Sequence, residues 1–290
     1  MTDWRAKCWD RALLTYGQGL PYFPGKWHIV ESLAEKASRA WQNLSPVKRR
    51  GIKFELNPTD LLQRSIYYLG VYEVWETRFI ERIVRPGWVV VDAGANIGYY
   101  TLILAQLVGS GGCVLAFEPA ESRHRALLRN LKLNKIDNVR AYRVALADRL
   151  GRCSIVRPAD ANLGTFRIAR RDEHGQETVP LTTLDQVVSS QHLDRLDLIK
   201  VDIEGAESRF LNGGRDTMER FRPTIMIELN PAALRQFGSR SEDVIAFLKS
   251  FGYRFFRTSW NGLHTLKDLP GTDEYFNIIA IATGRASVGG

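Results

Sequence analysis

Cysteine is scarce: Cys8, Cys113 and Cys153 are the whole complement in 290 residues. An odd number, with no C-x-x-C pair and no histidine at ligand spacing, disfavours a disulfide framework or a zinc site and fits a reducing, cytoplasmic setting. Long apolar runs are missing too. No stretch approaches the roughly 20 apolar residues of a membrane-spanning helix. The opening MTDWRAKCWDR carries acids where a signal peptide has an apolar centre. Low-complexity tracts and internal repeats are lacking, and with 44% hydrophobic residues the chain is no disordered tail or collagen-like fibre. A chain of this length can bury a real core.

Acidic surplus is also lacking, since 40 Lys+Arg stand against 32 Asp+Glu. The excess is uneven. Residues 1–50 hold nine basic and four acidic residues, residues 51–86 hold five of each, and residues 87–290 hold 26 and 23. Most of the surplus therefore belongs to the N-terminal sixth, where Val30, Leu33, Ala34, Ala37, Trp41 and Leu44 follow a helical period over residues 26–44. One amphipathic helix is expected there, lying over the main domain, covering substrate, or touching an anionic membrane surface.

From Pro86 onward, short apolar runs alternate with helical patterns. Strands are expected at 88–92, 112–118, 139–145, 196–202, 224–229, 253–258 and 275–282, with helices near 99–108, 122–134, 206–221 and 241–251. The fold expected is α/β, with a mostly parallel seven-stranded sheet ending in an antiparallel hairpin at one edge. Residues 149–184 read as an insert with extended segments at 153–156, 165–169 and 177–181. The expected organisation is a helical extension over 1–50, a connecting segment over 51–86 and the α/β domain over 87–290.

The run VVVDAGANIGYYT, residues 89–101, is the most informative. An apolar strand emptying into a glycine turn that opens a helix brings backbone N–H groups against a ligand. Gly94 and Gly98 lack the G-x-G-x-x-G spacing that admits a pyrophosphate. Asp92 at the strand end instead suits a cationic group, as S-adenosylmethionine presents. Glu118, 26 residues on, ends the next strand where a carboxylate can accept from both hydroxyls of a ribose.

These strings, with AFEP at 116–119, TLD at 183–185, IKVDIEGAE at 199–207, IELN at 227–230, LGVYE at 69–73 and YFNIIAIA at 275–282, resemble the FkbM family of S-adenosylmethionine-dependent methyltransferases. The resemblance covers roughly residues 60–283. It implies the class I, Rossmann-like methyltransferase fold and methyl transfer to oxygen, on a saccharide, glycolipid or natural-product hydroxyl. The cofactor contacts expected are Tyr72, Glu73, Asp92, Gly94, Asn96, Gly98, Thr101, Glu118, Pro119, Ala145 and Asp202.

An alcohol becomes a good nucleophile only as its proton leaves, so a base or metal should stand at the acceptor hydroxyl. The ends of the fourth and fifth strands supply Lys200, Asp202, Glu204 and Glu228. Asp202 or Glu204 is expected as base, with Lys200 as electrostatic partner, and Glu207 is equally well explained by the first turn of the next helix. Asp202, Glu228 and Asn230 offer oxygens to a divalent cation, which the chemistry admits without requiring. His264 is a candidate for the acceptor cleft, while His28, His124, His174 and His192 read mostly as surface residues. Residues 162–166 and the pair Tyr72 and Glu73 are candidates for closing over the ligands. The alternatives are a methyltransferase acting on protein or nucleic acid, or a non-catalytic nucleotide-binding protein. No nucleic-acid partner is expected, because the N-P-P-[YFW] signature and any RNA-binding module are missing.

Overall fold

The computed structural model describes residues 4–23, 25–34, 36–37, 46–157, 166–169, 173–269 and 275–284. The chain opens with helices α1 (Trp4–Gly19) and α2 (Lys26–Ala34), a hairpin of β1 (Val47–Arg49) and β2 (Ile52–Phe54), then α3 (Leu61–Leu69) and α4 (Val74–Ile83). Leu13, Val30 and Ala34 of the first two helices bury against Tyr67 and Tyr68 of α3. Contact is close: a Cβ on Gly17 would lie 2.2 Å from the Tyr68 carbonyl oxygen. The Asp10 carboxylate accepts from the hydroxyls of Tyr67 at 3.0 Å and Tyr68 at 2.9 Å.

Two basic residues of this region serve helix ends, where cations satisfy the last carbonyls. The buried Lys26 Nζ donates to Gly17 O at 2.7 Å and Leu20 O at 2.5 Å, and Arg49 donates twice to Tyr67 O. The helix expected over 26–44 ends, as α2, at Ala34; Arg39, Trp41 and Leu44 lie outside the described residues. Asp60 caps α3 by accepting from the Gln63 N–H, and Gly70 closes it at φ 74°.

The α/β core follows as β3 (Val89–Ala93), α5 (Tyr99–Val108), β4 (Cys113–Phe117), α6 (Glu121–Leu133) and β5 (Val139–Tyr142). A second sheet is built from β6 (Ala145–Leu146), β7 (Gly151–Val156), β8 (Arg167–Ile168) and β9 (Glu177–Thr182), in the order β6-β9-β7-β8. Then come α7 (Leu184–Ser190), β10 (Leu198–Val201), α8 (Glu207–Asn212), α9 (Arg215–Phe221), β11 (Thr224–Leu229), α10 (Pro231–Gln236), α11 (Ser241–Ser250), β12 (Tyr253–Ser259), β13 (Gly262–Thr265) and β14 (Phe276–Ala282).

The main sheet runs β13-β12-β14-β11-β10-β3-β4-β5, with β14 antiparallel between β11 and β12. Alternation sends Val91, Leu115, Ile199 and Ile225 into one apolar layer, with Phe210, Met218 and Leu248, and Val90, Val114, Leu198 and Met226 into the other, with Ile80, Leu102 and Leu127.

Three expectations change. The sheet has eight strands among the described residues, because the turn after β12 folds into β13, so the edge hairpin is β12–β13 while β14 lies inside the sheet. The strand expected over 139–145 divides, its end crossing to the second sheet as β6, where Ala145 pairs with Leu181. The helix expected over 206–221 breaks at Gly213 and Gly214, and a Cβ on Gly213 would lie 2.0 Å from Ala147 O. No helix among the described residues is long and apolar enough to cross a membrane.

Candidate active site

Two clefts open beyond the carboxyl ends of the central strands, where open α/β sheets bind ligands. The first, about 660 Å³ with the open solvent at its mouth included, is lined by Gly94, Asn96, Glu118, Pro119 and Ala145, by Asp202 to Glu204 of the loop after β10, and by Phe166, Arg167 and Ile168. Gly94 sits at φ 85°, and a Cβ there would fall 1.8 Å from Asp202 O, so only glycine lets the turn lie against that loop. Glu118 is almost wholly buried, with one oxygen accepting from Asn96 N–H at 2.8 Å and the other from Ala120 N–H at 2.9 Å. Each oxygen keeps a second lone pair for a ligand hydroxyl. Burial pushes this carboxyl up to about 7, against the pull of those two N–H groups.

The second cleft, about 1500 Å³ counted likewise, is walled by Leu61, Leu62, Ser65 and Leu69 of α3, by residues 71–76, by Glu228, Asn230 and Tyr275, and by Tyr22 and Trp27 from the N-terminal segment. Asn96, Asp202 and Glu204 border both clefts. That shared border is where two ligands would meet.

Acids dominate the border. Strand β10 stops at Val201, so strand alternation does not carry Glu204 into the site; the chain turns there, with φ 55° at Glu204 and φ 100° at Gly205. Lys200, buried, donates to Asp202 Oδ2 at 3.0 Å and lies 5.2 Å from the Tyr100 ring centroid. Burial lowers its affinity for a proton, but Asp202, Asp92 and Glu73 outweigh this and hold it charged. Burial, then Asp202 and Glu207, push Glu204 up to about 8. Burial, then Asp202, Glu204 and Glu73, raise Glu228 well above the ordinary carboxylate range. Glu73, at φ 44°, accepts from the Tyr100 hydroxyl at 2.7 Å and Asn277 Nδ2 at 2.8 Å, and burial raises it to about 7.

Several expected residues stand elsewhere. Asp92 borders neither cleft: it is fully buried, pairs in register with Lys200, and accepts from Thr101 Oγ1 at 2.6 Å, bracing strand to helix beneath the turn. Thr101 and Gly98 are likewise inside, the latter backed by Leu127. Tyr72 and Glu73 border the second cleft, not the first. Glu207 is buried and accepts from the Gly205 N–H, a helix-entry role. Asn230 caps α10 through Ala233 N, and among the described residues no three of His, Cys, Asp or Glu are placed to hold a metal. His264 lies exposed on β13, bonded to Asn261. Residues 162–165 lie outside the described residues, while Phe166 borders the first cleft. Sequence reasoning missed Tyr22, Trp27, Trp75 and Arg167. Only Arg167 had a signal, in the extended segment expected at 165–169.

The strand order, the glycine turn after the first core strand and the acid ending the second are those of the class I methyltransferase fold. The chain belongs to the FkbM methyltransferase family: residues 92–255 match the Methyltransferase FkbM domain. It is 30% identical over 179 residues to methyltransferase sdnD of Sordaria araneosa, covering 50% of this chain and 68% of that protein. It is 27% identical to the 2-O-methyltransferase NoeI of Sinorhizobium fredii, covering 50% and 65%. Against the 31-O-demethyl-FK506 methyltransferase FkbM of Streptomyces tacrolimicus it is 26% identical, covering 59% and 74%.

Proposed function

We propose that the protein methylates a hydroxyl of an uncharged small molecule, a saccharide, glycolipid or natural product, with the cofactor in the first cleft and the acceptor in the second. The observation that carries this reading is the common border of the clefts at Asn96, Asp202 and Glu204. The first cleft suits the donor chemically: the Gly94 turn leaves room at the backbone, Glu118 offers free lone pairs to a ribose, and Asp202 and Glu204 bring negative charge towards a sulfonium. When bound, S-adenosylmethionine supplies an electrophilic methyl group. The chain positions the acceptor oxygen in line with it and removes the hydroxyl proton. Glu204 is the proposed base, Asp202 the neighbouring charge fixed by Lys200, and Glu228 a hydrogen-bond partner to the acceptor. The second cleft carries Glu73, Glu76, Asp202, Glu204 and Glu228 and, among its described lining, no Lys or Arg. A polyanion such as nucleic acid would find no cation there to pair its phosphates. The relatives NoeI and FkbM, named for O-methylation, support oxygen as the acceptor atom.

Radiolabelled S-adenosylmethionine offered with neutral saccharides and polyhydroxylated natural products should label a product whose methyl resists alkali, as an ether does and a carboxyl ester does not. Glu204→Gln should lower kcat by about 100-fold or more. Calorimetric affinity for S-adenosylhomocysteine should change less than about threefold, because the cofactor holds other contacts. Wild-type turnover should rise with pH towards about 8, where Glu204 becomes ionised. A Glu204→Gln enzyme with full turnover would remove the assigned base.

A further inference from the structure

Residues 1–50 lie outside the matched family region, yet two of their side chains stand in the second cleft. Tyr22 belongs to the loop after α1, and Trp27 to the first turn of α2; both are half-buried. Tyr22 meets Trp75 of α4 edge to face, with ring centroids 5.8 Å apart and planes at 88°. The loop is held in shape from inside, because the Lys26 ammonium is shared among the carbonyls of Gly17, Leu20 and Pro21. A cation chelated by three carbonyls in a buried setting fixes backbone that would otherwise be free to move. Leu61 and Leu62 add apolar surface to the same cleft. The lining is thus divided in chemistry: Tyr22, Trp27, Trp75, Leu61 and Leu62 border this cleft and not the first, and the acids include the two that also border the cofactor cleft.

We infer that Tyr22, Trp27 and Trp75 form a specificity wall that takes an uncharged, ring-bearing part of the acceptor while its hydroxyl reaches Asp202 and Glu204. This rests on the reading of the second cleft as the acceptor site. An indole or phenol ring offers a flat apolar face to the C–H face of a pyranose or an alicyclic ring, and loses little side-chain entropy in doing so. An anionic ring would enter a cleft whose described lining has no Lys or Arg to pair with its charge. The wall sets which acceptor enters and takes no part in proton transfer.

Phenyl β-D-glucopyranoside is a suitable neutral probe, followed by saturation-transfer NMR with S-adenosylhomocysteine present. Wild type should bind it, and should bind the anionic phenyl β-D-glucuronide at least about tenfold more weakly. Trp27→Ala and Tyr22→Ala should each weaken glucoside binding about tenfold or more. Trp260→Ala, at an exposed turn of the β12–β13 hairpin, should leave it unchanged. Affinity for S-adenosylhomocysteine should be retained in all three, which also reports a folded protein; Trp27→Leu replaces Trp27→Ala if the latter does not fold. Leu62→Trp, which fills the cleft from α3, should block the glucoside. If Leu62→Trp blocks it and the Tyr22 and Trp27 variants do not weaken it, the acceptor site stands and the wall is overturned. If none of these changes matters, both readings fall. Failure of wild type to bind the glucoside, or equal binding of the glucuronide, overturns the wall as well.

Discussion

A single methyl group at position 94 should disable the cofactor turn. Gly94 has a left-handed φ, and its missing Cβ would collide with a backbone oxygen held in place, since Asp202 N–H is itself tied to Ala93 O at 3.0 Å. Neither side can yield without breaking the end of β10. Gly94→Ala should therefore cost about 3 kcal/mol or more of stability, and calorimetry should find no S-adenosylhomocysteine binding. Gly98→Ala is the control: its Cβ would meet a leucine side-chain end, Leu127 Cδ1 at 2.6 Å, which can rotate away, although its own φ of 93° still adds strain. Melting curves that do not separate the two variants would contradict the steric account. Gly94 was legible in the sequence because a turn of that shape needs glycine. Asp92 was legible only in position. The pattern puts an acid at the strand end, but the side toward which it falls depends on Lys200 across the ladder and Thr101 across the turn, contacts that no local spacing encodes.

Among the elements, those driven by their own periodicity were readable: β3, β4, β10 and β11, and helices α5, α6 and α11. Elements set by tertiary contact were not. The division of α8 from α9 follows from Gly213 lying against Ala147, and β6 leaves the main sheet to pair with β9. The N-terminal helices show the same limit. Their amphipathic pattern revealed a buried face but not its partner, which is α3. Their outer side still displays Trp4, Trp9, Leu20, Phe23 and Ile29, exposed on the segment with the basic surplus. Peripheral contact with an anionic bilayer is therefore predicted, through these side chains rather than through the helices as a detachable tail. Deleting residues 1–50 would expose Tyr67 and Tyr68 and confound the measurement. The double variant Trp4→Ser, Leu20→Ser keeps the buried face intact and should reduce co-sedimentation with phosphatidylserine vesicles at least about fivefold. Equal sedimentation of variant and wild type would refute the contact.

Over the whole molecule, a chain of net charge +8 lines its two clefts with Glu73, Glu76, Glu118, Asp202, Glu204 and Glu228. Glu73, Glu118 and Glu207 are raised to about 7 and Glu204 to about 8, and Glu228 is raised well above its ordinary value, in each case first by burial. An unfolded glutamate titrates near 4.3. Between these values the folded state holds more protons than the unfolded state, so stability is greatest below the unfolded pKa and declines as pH rises through 7 to 8. The ligand-free protein should melt roughly 5 °C or more lower at pH 8.5 than at pH 5.5, followed by circular dichroism. A positive charge placed beside these carboxylates favours their ionised form and lowers their pKa values. S-adenosylmethionine should therefore stabilise more at pH 8.5 than at pH 5.5, and at pH 8.5 should exceed S-adenosylhomocysteine, the thioether that lacks both the methyl group and the sulfonium charge. A melting temperature flat or rising over this range, or equal stabilisation by the two ligands at pH 8.5, would show that the buried acids are not what receives the cationic centre.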